Sequence, residues 1–302
     1  PVPVGAVNDP QLLSNPANLR AALNNYYTGH MRQLTTMALS MDAANDAPLD
    51  PTKPDMQLGN TLRSYIPNVT GSWLYQQFAV YEQAAKVKAA YGLASANSTV
   101  GIGHGGLSVE GFLYVLSMSH LLEALDALHT AGYDDIALSG PQMDLIRSTY
   151  WTQMVDGFIH SITPSPKTHP GYGWMGPVYE FAGFGDVLRF EMTPCNSDPF
   201  ILRGVLDSRL GNSARRDVCR WLVRDVSQGG SGQFLSRIAN IWGNDNASRA
   251  IKHFLLFDPA LPVAPDPRPP MTKTDFFSPT LGRVLSRTDW SAQARLLAFK
   301  CS

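Results

Sequence analysis

Through the first 256 residues, apolar side chains recur every three or four positions, the spacing of amphipathic helices rather than of strands. Between Gln11 and Met41 the stripe comprises Leu19, Leu23, Tyr27, Met31, Leu34, Met37, Ala38 and Met41, and the Pro-rich 48–54 stretch ends it. Ser72 fits the N-cap of a helix from Trp73 to about Leu93, with Leu74, Phe78, Tyr81 and Ala85 along one side. Ser108 fits the cap of a third, Val109 to His129, stopped by Gly132. A fourth is predicted from Pro141 to about Ile162, with Leu145, Tyr150, Met154 and Phe158 in register. Shorter helices are predicted at 214–226, 232–242 and 247–257.

The pattern then changes. Asp258 to Pro270 holds six prolines in thirteen residues, an extended and semi-rigid composition. Beyond it, Leu281–Arg287 and Ala294–Lys300 read as two strands joined by a turn around Asp289, Trp290 and Ser291. A lone hairpin is marginally stable in water, so these strands read as the start of a second domain that the chain does not finish. The expected organisation is a helical domain over 1–257, a Pro-rich linker over 258–280 and the beginning of a β domain over 281–302.

Composition narrows the function classes. The 302 residues carry 24 Lys plus Arg against 25 Asp plus Glu, a net charge of −1, with 44% hydrophobic residues. That is ample apolar material for a core and excludes intrinsic disorder. It also argues against nucleic acid as partner, because neutralising a phosphate backbone needs a basic excess. No apolar stretch approaches the ~20 residues that cross a bilayer. Cys195, Cys219 and Cys301 form no metal-ligand spacing, and neither a metal nor another cofactor is expected. Pro1-Val2-Pro3-Val4-Gly5 shows no signal-peptide pattern.

Candidate chemistry is concentrated in three places. His104-Gly105-Gly106-Leu107-Ser108-Val109-Glu110-Gly111-Phe112-Leu113-Tyr114 opens the third helix, with Glu110 and Tyr114 one turn apart on one face. A phenol beside a carboxylate suits acid–base work once a neighbour lowers its pKa from about 10. The same pair also reads as a first-turn Glu favoured by the helix dipole beside a half-buried Tyr. On the first helix, Asn24, Asn25, Tyr26, Tyr27, Thr28, Gly29 and His30 make a locally inconsistent helix, a frequent sign of function. Asn25, Thr28 and His30 cannot all share one face. Finally, the Gly-rich aromatic stretch with Tyr172, Trp174 and Tyr179 suits either a binding surface or an irregular connection on the core. Glu82, Glu110, Glu123, Asp126, Asp156, Glu180 and Asp186 supply carboxylates for a hydrolase, with no spacing that selects two of them.

Glu110-Gly111-Phe112-Leu113-Tyr114 resembles the E-G-x-x-Y motif of the heparinase II/III-like polysaccharide lyases. Leu121 to Asp135 is similar to the helix that follows it there, and Gly282–Trp290 with Ala298–Ser302 resembles the opening strands of that family's β-sandwich. The resemblance spans roughly residues 20–302 and implies a mainly α chain: an (α/α) toroid of helical hairpins followed by the first strands of an incomplete antiparallel β-sandwich. It implies β-elimination at a uronic acid, with Tyr114 as the proton-transferring phenol. Asn25 and His30, or His104 as a rival, would neutralise the uronate carboxylate. Glu110, Tyr172, Trp174 and Tyr179 would line the substrate. The implied partner is an acidic polysaccharide, the implied location is secreted or periplasmic, and a second polypeptide could complete the sandwich. Because Lys/Arg clustering is limited to Arg215, Arg216 and Arg220, a weakly charged uronate polymer is expected over a heavily sulfated one. The alternatives are a glycoside hydrolase on a similar toroid, using a carboxylate pair, and a non-catalytic carbohydrate-binding fragment.

Overall fold

The computed structural model describes residues 25–41, 52, 63, 66, 105–107, 116–139, 143–168, 177–183, 194–226, 245–278 and 282–300. The chain divides into two compact units, Pro1–His104 with His120–Tyr150, and Gly105–Ser119 with Trp151–Ser302. The described residues are mainly helical, and the strands belong to the second unit. The expected helices at Trp73–Leu93 and 232–242 lie outside the described residues.

In the first unit, helix α1 (Asn25–Ser40) buries Thr28, Met31, Thr35 and Ala38, spaced three, four and three apart. The expected stripe shares Met31 and Ala38 with this face, but Met37 and Met41 are 55% and 37% exposed. A Cβ on Gly29 would stand 3.6 Å from His120 Nδ1, an ordinary van der Waals contact, so α1 packs against His120 at this point. His120 belongs to helix α2 (Leu116–Thr130), and across the same contact Arg32 Nη1 donates to Glu123 Oε2 at 3.0 Å. Carbonyls at the end of α1 lack helical partners, and Arg63 Nη1 donates to Ala38 O at 3.2 Å and to Met41 O at 2.5 Å.

Gly132 ends α2 as the sequence predicts. It takes φ +76°, and Tyr133 N donates back to Leu128 O at 2.9 Å. After the short α3 (Ile136–Ser139), the expected continuous helix from Pro141 is instead a 3-10 turn, Leu145–Arg147, followed by α4 (Tyr150–Ser161). Ser148 causes the break: its ψ of 141° is extended, and its Oγ accepts the Tyr150 N–H at 3.2 Å.

In the second unit, α4 buries Trp151, Met154, Val155, Phe158 and Ile159. Phe158 meets Phe181 and Phe200 edge-on at 5.3 and 4.8 Å between ring centroids. A two-residue ladder, β1 (Lys167–Thr168) with β2 (Pro177–Val178), brackets the aromatic stretch. Helix α5 (Pro194–Arg209) has no counterpart in the sequence expectations. Its first turns, Pro-Cys-Asn-Ser-Asp-Pro, argue against a helix, and Pro199 lies inside it. Burial decides otherwise, since Phe200, Ile201, Leu202 and Leu206 are all 6% exposed or less. Helix α6 (Ser213–Trp221) starts where Asn212 Oδ1 accepts the Arg215 N–H, and it runs into a π-turn, Leu222–Val226. Helix α7 (Asp245–Leu256) matches the prediction at 247–257 closely.

The breaks between the units follow His104, Ser119 and Tyr150. Arg220 Nε donates to Pro262 O at 2.8 Å, and its Nη2 donates to Asp258 O at 2.5 Å and Leu261 O at 2.9 Å. The Pro-rich segment is thus held against α6 by its own carbonyls. The predicted hairpin is present as β4 (Arg283–Arg287) and β5 (Leu296–Lys300), in antiparallel register. A third strand, β3 (Asp275–Ser278), pairs on the other side of β4, so the missing strand comes from residues expected in the linker. Side chains alternate as the pleat requires. Phe276, Ser278, Arg283, Leu285 and Arg287 are buried, while Phe277, Leu297 and Phe299 are more than half exposed. Among the described residues no helix is long and apolar enough to cross a membrane.

Candidate functional site

The residues leading into the Glu110–Tyr114 motif are held tightly. Gly105 and Gly106 have φ of +88° and +63°, the left-handed region that favours glycine. Gly105 N donates to Gln153 Oε1 on α4 at 2.6 Å. A Cβ on Gly106 would lie 2.0 Å from Met154 N, and one on Gly105 would lie 2.3 Å from Ser278 Oγ on β3. Gly157 completes the junction, because a Cβ there would reach Leu107 Cδ2 at 2.9 Å and the Phe276 ring at 3.1 Å. The Gly105–Leu107 leader, α4 and β3 therefore pack with no room for added side chains.

The strand side of this junction is built on arginines that bind carbonyls. Arg287 Nη2 donates to His160 O at 2.7 Å and to Ile162 O at 2.9 Å, capping the C-terminal end of α4. Its guanidinium lies 4.1 Å over the Trp290 ring. Arg283 donates to the carbonyls of Ala182 and Gly183. Burial lowers both guanidinium pKa values to about 10, with Arg268 adding to the effect at Arg287 and Asp289 opposing it. Both stay cationic at neutral pH.

Between these elements sits His160, 2% exposed. Its ring stacks on Phe276 at 5.6 Å and meets Trp290 edge-on at 4.9 Å. Burial first, then the positive charges of Arg287 and Lys273, pull its pKa down to about 4 against the pull of Asp275. The imidazole is neutral at physiological pH, and its Nδ1 has no hydrogen-bond partner among the described residues.

The sequence-predicted site residues fall as follows. His104, Glu110, Tyr114, Tyr172 and Trp174 lie outside the described residues. Asn25 is the first residue of α1. His30 is exposed while Thr28 is fully buried, so these two take opposite sides of the helix, as their spacing requires. Tyr179 is half-buried, and its hydroxyl accepts a bond from Arg268 Nη2 at 3.1 Å. Of the carboxylates available to a hydrolase, Glu123 is engaged by Arg32 in the first unit and Glu180 lies 3.7 Å from Lys167 in the second. Among the described residues no three His, Cys, Asp or Glu side chains converge to hold a metal.

His160, Arg283 and Arg287 were not legible as a cluster. The available signal was a charge repeated four residues apart in a strand, which puts both arginines on the same face as Leu285. As a piece of chemistry the junction fixes positions: its cations are committed to carbonyls and its histidine is closed off from solvent. Compared with known proteins, the chain matches no family profile, no curated protein and no solved structure.

Proposed function

We propose that the chain belongs to a polysaccharide lyase that cleaves a weakly charged uronate polymer by β-elimination. The observation that supports this reading is the packing of Gly105–Leu107 against Gln153, Met154 and Ser278. Gly105–Leu107 lead in sequence into the Glu110–Tyr114 motif, and in this reading an (α/α) toroid followed by a β-sandwich forms the groove there.

In this reading a side chain drawn from Asn25, His30 and His104 neutralises the uronate carboxylate, which acidifies the proton α to it. The Tyr114 oxygen takes that proton. The released electron pair becomes a carbon–carbon double bond, the glycosidic carbon–oxygen bond breaks, and the leaving oxygen recovers a proton from the phenol. Glu110, Tyr172, Trp174 and Tyr179 contact the sugars flanking the cleaved bond. The outward apolar face of the sheet suits a further layer of strands, from this polypeptide or a second one, and the substrate places the protein outside the cytoplasm.

Incubation with non-sulfated and sulfated uronate polysaccharides, followed by ultraviolet absorbance, tests the reading. An unsaturated uronate chromophore that appears with the non-sulfated polymer and is lost in Tyr114→Phe is the expected result. New reducing ends without the chromophore would identify a hydrolase instead. Retention of oligosaccharide without turnover would identify a binding module.

A further inference from the structure

A cavity of about 220 Å³ opens between α5, α6, the π-turn and the residues that follow α7. Its floor is apolar, formed chiefly by Phe200, Val205, Val223, Leu256 and Phe257. Among the described residues its polar groups are Ser208 and three arginines, Arg209, Arg216 and Arg220, with no carboxylate in the lining.

The arginines differ in what they have left to offer. Arg220 is spent on three carbonyls and on the face of Phe257, 4.1 Å away, so it serves as a charged wall. Among the described residues Arg216 donates only its Nε, to Asp217 at 2.8 Å, while its side chain is 15% exposed. Both terminal amino groups of that guanidinium remain available, in the fork geometry that grips a carboxylate. Arg209 and Ser208 stand exposed at the rim. Arg220 is held below its ordinary pKa by burial first and by Arg216 second, and His253 is likewise lowered by burial and then by Arg220. The positive potential here is therefore felt by its own neighbours.

We propose that this cavity binds a small organic carboxylate with an apolar body, its anion gripped by Arg216 and its hydrocarbon lying on Phe200, Val223 and Phe257. A sugar acid carries the charge but would leave its hydroxyls facing apolar walls without partners. The site is independent of the lyase reading, since a simple carboxylate is no elimination substrate.

Calorimetric titration of the full chain with octanoate, 1-octanol and glucuronate tests the proposal. Octanoate is expected to bind at least about tenfold tighter than the other two, the scale of one charge-assisted contact. Arg216→Gln is expected to weaken octanoate by about tenfold, Val205→Trp to abolish binding by filling the cavity, and Arg295→Gln, on the sheet, to leave it unchanged. Circular dichroism of each variant separates loss of the site from loss of the fold. Equal binding of octanoate and octanol, equal binding of glucuronate, or no octanoate binding to the folded wild-type chain would each overturn the proposal.

Discussion

Arg287 on the middle strand donates a 2.7 Å hydrogen bond to the carbonyl oxygen of His160, in the last turn of α4. The same contact brings a fixed cation close to an imidazole that burial already disfavours in its charged form. The unfolded chain binds a proton at His160 near the ordinary value of 6.5, whereas the folded protein resists until about 4. The contribution to stability is therefore whole above about pH 6.5 and is lost as pH falls toward 4, amounting to at most about 3 kcal/mol. His160→Phe keeps the ring contacts and the carbonyl but cannot titrate. Its melting temperature should fall less steeply than that of the wild type over this range, and parallel acid profiles would refute the account.

Two glycines with similar backbones are expected to differ sharply on substitution. Gly106→Ala meets both a φ of +63° and a backbone nitrogen 2.0 Å from the new carbon. Gly132→Ala meets only its φ of +76°, with open space around it. The second should cost about 1–2 kcal/mol, the ordinary penalty of a left-handed residue. The first should cost well beyond that, because α4 would have to move. Urea denaturation of the two variants makes the comparison, and equal midpoints would mean that the leader is not packed on α4.

Arg203 and Asp207, one turn apart on α5, form two bonds of 2.9 and 2.5 Å with side chains 4% and 0% exposed. Burial raises the Asp207 pKa despite the bond from Arg203, so desolvation outweighs the partner. Removing one member breaks the buried pair, and Asp207→Leu or Arg203→Met alone should cost about 3–5 kcal/mol. The double variant should recover most of this loss. A double-mutant cycle by chemical denaturation reads the coupling directly, and additive losses would show that the pair does not act as a unit.

Tyr179→Phe separates two roles for one side chain. The hydroxyl accepts from Arg268, whose guanidinium lies 5.0 Å from the ring centre. Loss of that single bond should lower stability by about 1 kcal/mol or somewhat more, the bonding partner being charged. If Tyr179 also contacts sugar, KM for the uronate polymer should rise while kcat holds. An unchanged KM with reduced stability would confine Tyr179 to the Arg268 contact.

What could be read from the sequence follows from how much each element depends on its own residues. Helices α1, α6 and α7 and the β4–β5 hairpin were legible because a local period of 3.6 or 2 specifies them. Helix α5 was not, since Pro199 and poor helix formers hide a segment that packing of Phe200 and Leu206 stabilises. Ser148 interrupts a run that periodicity alone joins. Strand β3 is only four residues long and follows a proline-rich segment, so its partner β4 defines it. The Glu110–Tyr114 motif stood out by composition, whereas the packing of Gly105 and Gly106 just before it depends on Met154 and Ser278, over forty residues away.

Several arginines of this chain donate to main-chain oxygens: Arg63 to the end of α1, Arg220 to the Pro-rich segment, and Arg283 and Arg287 to the strand–helix junction. A carbonyl is the same on every amino acid, so the surfaces these cations grip are free to change their side chains without loosening. Divergence can therefore run far in the gripped segments while the gripping residues stay fixed. Distant kin of this protein are better sought by arginines set four apart on the buried face of a strand than by the helix they hold.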